Sequence, residues 1–87
     1  MGYPPPEAFD EFIRQFKALL FGTLAREIPE QAFRPGQEAE LRRCVERIVD
    51  ARLIADKVPI GRQGRKKIID SILADIGQGG REWLSAQ

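Results

Sequence analysis

Eighty-seven residues, 43% apolar and 31% charged with a net charge of +1, fit one soluble domain with a thin core of its own. One cysteine, Cys44, and no histidine exclude an internal disulfide, a histidine-bearing zinc site, a Ser-His-Asp triad and a Cys-His pair. No apolar stretch approaches the roughly 20 residues of a membrane span, and the first residues lack a signal-peptide pattern, so the cytoplasm is the expected location.

Pro4-Pro5-Pro6 is stiff, and residues 1–5 read as an extended arm. Glu7, Asp10 and Glu11 then supply the acids that a helix start favours. Phe9, Phe12, Ile13, Phe16, Leu19, Leu20 and Leu24 recur at steps of three and four, which predicts a first helix over about 6–27. Pro29 disfavours a helical Ile28 and ends it. Residues 29–36 read as a loop with one helical turn near Glu30–Phe33, and Pro35-Gly36 marks a turn.

A second helix follows over about 37–57, with Leu41, Cys44, Ile48, Ala51, Ala55 and Val58 on its main apolar stripe. Val49 and Leu53 lie off that stripe on one side and Ile54 on the other. Either a three-helix fold touches this helix on two sides, or part of it is a dimer or partner surface. Pro59 stops the helix.

The third helix is predicted over about 62–76, with Ile68, Ile69, Ile72, Leu73 and Ile76 facing inward and Asp70, Ser71 and Asp75 on the solvated side. Gly77 reads as its C-terminal cap, residues 77–87 as a tail, and Arg81–Leu84 as a final short turn. No strand-like alternation and no internal repeat occur. The expected fold is all-α: a single small three-helix domain.

The motifs exclude more chemistry than they support. Gly61–Lys67 fails as a phosphate-binding loop, because its second glycine comes too early and no hydroxyl follows the lysines. Gly77-Gln78-Gly79-Gly80 fails as a dinucleotide fingerprint for want of a preceding strand. Cys44 sits on an apolar stripe and reads as a small buried hydrophobe. The expectation is no enzyme, no cofactor, no metal and no small-molecule substrate.

The basic cluster is the remaining signal. Lys57, Arg62, Arg65, Lys66 and Lys67 precede Asp70 with no acid among them, and residues 57–87 carry a net +3. Cations at a helix start oppose the helix dipole. One reading pairs these heads with Glu or Asp of the first or second helix. Another makes them the charged edge of a protein-docking or self-association surface, formed by Arg62, Arg65, Lys66, Lys67, Ile69 and Trp83. A further alternative is a small nucleic-acid-binding regulator holding phosphates there.

Residues 40–84 carry a familiar pattern. Glu40-Leu41-Arg42-Arg43 and Ile48-Val49 lead to Val58-Pro59-Ile60, then Arg65, then Ile68–Ile76, then Gly77, Gly79, Glu82 and Leu84. This resembles the helical segment ahead of the catalytic core in secretion motor ATPases, above all the tight-adherence pilus type. There a Leu-Pro-Leu link precedes an Arg-bearing helix ending in Gly-Leu-Gly-Pro-Leu-Glu; here Gln78, Gly80 and Arg81 depart from it. The first helix stands outside the resemblance. The family's nucleotide-binding loop and acidic motifs are absent from this sequence. The resemblance therefore implies a helical accessory or appendage of a larger bacterial complex that docks to other subunits, and not a motor.

Overall fold

The computed structural model describes the backbone of residues 6–85 and the side chains of residues 8–79. Among these residues there are three helices, α1 (Pro6–Glu27), α2 (Glu38–Ala55) and α3 (Arg62–Ser85), with a 3₁₀ turn at Glu30–Phe33, and no strand. The fold is all-α, as the periodicity predicts. The arm at residues 1–5 lies outside the described residues.

Ile13, Phe16, Leu20 and Leu24 form the buried stripe of α1. Leu19, predicted on that face, is 60% exposed. Steps of four from Phe16 to Leu24 set the centre of the stripe, and Leu19 falls about a third of a turn away from it. The amide of Ile28 still donates to the Leu24 carbonyl at 3.1 Å, and its side chain is buried. Pro29 then opens the 3₁₀ turn, which packs on α2 and α3 and buries Ala32. Gly36, at φ 89°, turns the chain into α2 in a conformation that favours glycine.

On α2, Cys44, Val45, Ile48, Val49 and Leu53 are buried. Val49 and Leu53 share the side of α2 from which Arg42 and Asp50 reach α3, so this helix is indeed touched on two sides. Ala51 and Ala55, expected on the main stripe, are exposed, because they are too short to close the cleft toward α1. Ile54 is 76% exposed.

The end of α2 is built before Pro59. The Val58 amide donates to the Leu53 carbonyl and the Lys57 amide to the Ile54 carbonyl, at 3.0 and 3.1 Å. This is a Schellman motif with Lys57 at its left-handed position, φ 52°. Gly64 then permits the link to fold back over α3. A Cβ there would stand 2.6 Å from Cγ1 of Ile60 and 3.4 Å from Cζ of Phe9.

Ile68, Ile69, Ile72 and Ile76 are buried along α3. The helix does not stop at Gly77. It runs on to Ser85, so the predicted cap, tail and separate turn are corrected to one continuous helix. Among the described residues only Lys57 and Gly36 adopt positive φ, and Gly77 stays helical. Each glycine in a helix costs about 1 kcal/mol against alanine, but extension adds a hydrogen bond for each residue fixed.

Three backbone sites give contrasting expectations in urea unfolding. Lys57→Gly relieves the left-handed position and raises stability by about 1 kcal/mol. Gly77→Ala, with open space around it, raises stability by a similar amount, whereas Gly64→Ala lowers it by displacing Ile60. A stabilising Gly64→Ala would refute the close packing of Ile60 on α3.

Candidate interaction surface

The wide isoleucine face of α3 fixes where its polar residues fall. Arg65 lies one turn before the buried stripe and meets Asp50 of α2. Its Nε donates to Oδ1 at 2.6 Å and its Nη2 to Oδ2 at 2.8 Å, a two-pronged pair. Lys66 donates to Asp70 at 3.0 Å, and Arg42 of α2 reaches the other oxygen of Asp70 at 3.2 Å. Lys17 of α1 donates to Asp75 at 2.6 Å and to the Ser71 hydroxyl at 2.9 Å. The acids expected on a solvated side of α3 thus take ion pairs, two of them from neighbouring helices. Lys17 and Arg42 are long enough to reach past the apolar seam to carboxylates at its edge.

The predicted site residues divide accordingly. Arg65 meets an acid of the second helix, as the reading with internally paired heads expects, whereas Lys66 pairs with Asp70 of its own helix. The Lys67 ammonium stands 5.5 Å from the centre of the Phe9 ring, within cation–π range. Arg62 is exposed, with no ion pair among the described residues. Ile69 is corrected from surface to core: it is fully buried, because two adjacent isoleucines let α3 touch both other helices. Trp83 lies in α3, but its side chain is outside those described.

What sequence reasoning missed is the corner where α2 ends. A groove of about 400 Å³ is lined there by Asp50, Leu53, Ile54, Lys57, Val58, Ile60 and Arg65. On the other flank of α2 a second groove, of about 410 Å³, runs toward α1 past Ala51 and Ala55. The outer C-terminal half of α2 is a ridge between them. Ala51, Ile54 and Ala55 follow helical spacing and are exposed, and Val58 stands just past the helix end. The sequence signal was Ile54, set apart from the main stripe.

The electrostatics of this corner are simple. Hydrogen bonding from Arg65 holds the Asp50 carboxyl below its ordinary range, and the same bond raises the Arg65 guanidinium. Hydrogen bonding from Lys66, then from Arg42, lowers Asp70. Asp50 and Arg65 cancel, which leaves Lys57 and Arg62 as charges without ion pairs among the described residues. Cys44 is buried beside Glu40, 3.9 Å away, as a small core residue. Among the described residues no cluster of ligating side chains could hold a metal ion, and no helix is long and apolar enough to cross a membrane.

These features define a small helical domain whose outward chemistry is a grooved, partly apolar corner. The chain belongs to the family of type II secretion system protein E N-terminal domains, whose model matches residues 13–76. That domain is the non-catalytic N-terminal portion of a secretion ATPase, without the ATPase core. The match takes in most of α1, which the resemblance over 40–84 left out. It ends at Ile76, before the Gly77, Gly79, Glu82 and Leu84 that helped to carry that resemblance. Neither the curated proteins nor the solved structures hold a match to this chain.

The carboxyl shifts set a pH dependence. A depressed carboxyl contributes stability that is present above its unfolded pKa and lost as pH falls through its folded value. Urea midpoints therefore fall as pH drops below about 4. Asp50→Asn reduces that fall and lowers stability at neutral pH by about 1 kcal/mol at most, since the pair is half exposed. An unchanged acid profile in Asp50→Asn would refute the role given to this pair.

Proposed function

We propose that this chain is a non-catalytic docking module, a cytoplasmic accessory of a larger bacterial assembly. Its working surface is the corner formed by the end of α2, the link and the start of α3. The observation that carries this reading is Ile54: a large aliphatic side chain 76% exposed, lining one groove with Val58, Ile60 and Lys57, while the exposed Arg62 stands one turn before the groove-lining Arg65. Burying an isoleucine contributes about 2 kcal/mol, enough for one anchor of an interface. The neighbouring charges orient the partner and speed its approach. Lys67 extends the cationic side along α3, while Arg65 shapes the groove wall. Membership in the N-terminal domain family of a secretion ATPase supports a role in contact rather than chemistry.

Nucleic acid is the weaker reading. Arg65 and Lys66 are held by Asp50 and Asp70 and would have to leave them to grip phosphates. Among the described residues the groove beside Ile54 is lined by aliphatic and charged groups, with no aromatic ring on which a base could stack.

A photo-crosslinking residue at position 54, expressed in the native host, forms a discrete adduct with a protein. The same residue at Ala18, exposed on α1, does not. Ile54→Asp, with the crosslinker moved to position 58, abolishes the adduct and leaves the thermal midpoint unchanged. Equal adducts from positions 54 and 18, or none from 54, would sink the docking reading.

A further inference from the structure

The charge around Ile54 specifies what kind of partner fits. Asp50 is the acid lining this groove, and its carboxylate is taken by both donors of Arg65. Its repulsion toward another anion is thereby largely cancelled at close range. Lys57 remains at the end of α2, on the groove wall. Arg62 remains at the first turn of α3, where the free amides of the helix start add positive potential. No acid stands in that first turn. The groove is thus lined by aliphatic side chains with Lys57 on its wall, and Arg62 stands one helical turn before its Arg65.

On this basis, and resting on the docking reading above, we infer that the corner takes an acidic amphipathic helix of a partner protein. An aliphatic side chain of that helix packs between Ile54, Val58 and Ile60, and its carboxylates face Lys57 and Arg62. Helix-in-groove recognition has this form, with apolar anchors on one face and complementary charges beside them. A second copy of this chain fits poorly. A two-fold contact through this corner would gather two copies of Lys57 and two of Arg62 into one interface, because such a contact uses the same patch twice. Like charges brought together in this way oppose association.

Arg62 gives a test in which stability and binding move apart. At the first helical turn an acid is favoured, so Arg62→Glu leaves the thermal midpoint unchanged or slightly raised. Two synthetic amphipathic helices serve as probes: leucines along one face flanked by glutamates, and the same peptide with lysines in their place. They are titrated into the ¹⁵N-labelled 87-residue chain. The expected result is that the glutamate helix shifts the amides around Ile54, Lys57, Val58 and Arg62. Its Kd weakens as NaCl rises, and weakens roughly tenfold or more in Ile54→Ser and in the Lys57→Gln, Arg62→Glu pair. The lysine helix leaves these amides unmoved.

Equal binding of the two peptides, no binding of the glutamate helix, or shifts confined to another face would each overturn the inference. A concentration-dependent dimer that dissociates in Ile54→Ser would overturn it in favour of a second copy. An adduct from position 54 without binding of the glutamate helix would leave docking intact and remove only its acidic chemistry. Loss of that adduct removes both.

Discussion

The breadth of the buried face on α3 is the constraint from which the rest follows. Ile68 and Ile69 are adjacent, about 100° apart around the helix, and both are fully buried. A helix can bury two such neighbours only by lying in a cleft, with one flank on each of two partners. Ile72 and Ile76 continue the wedge down the helix. Each buried isoleucine contributes about 2 kcal/mol, so this seam outweighs any ion pair in the domain. With the wedge inward, Ser71 and Asp75 fall beside Lys17 of α1, and Arg65 falls beside Asp50 of α2.

The ion pairs at the margins act on geometry more than on stability. The Arg65–Asp50 and Lys66–Asp70 pairs are well exposed, where such pairs are worth little, and Lys17–Asp75 is the more buried one. Their effect is on register and field. The first turn of α3 is basic in its own sequence, and Asp50 supplies from α2 an acid that this turn lacks. That pairing takes Arg65, and Asp70 takes Lys66, out of the pool of free cations, while Lys57 and Arg62 keep no ion pair among the described residues and Lys67 stands over the Phe9 ring. A cluster that looks continuous along the chain is therefore divided in space, part spent on holding the fold and part left beside a groove.

The link between α2 and α3 joins these two halves. Lys57 in a left-handed cap, Val58 bonded back to Leu53, and Ile60 folded over Gly64 together make a rigid aliphatic corner. Pro59 marks this bend in the sequence, but the stop itself comes from the Schellman bonds just before it. Ile54 owes its exposure to α2 ending there. One turn later the chain has reversed, and nothing among the described residues covers that side chain.

Much of this was legible in the residues. Apolar spacing located three helices and most of the core, because a helix buries one stripe whatever its neighbours are. The lack of histidine and of a complete phosphate-binding loop kept the chain from a catalytic reading, and the Val58-Pro59-Ile60 link with the Arg-bearing third helix pointed toward secretion ATPases. Tertiary structure decided the remainder. Whether Gly77 caps or continues a helix, whether Ile69 faces a partner or the core, and whether Arg65 is free or held by Asp50 are all settled between elements. Periodicity reports which side of a helix is apolar. It does not report how many neighbours cover that side, or which distant carboxylate a long cationic side chain will reach.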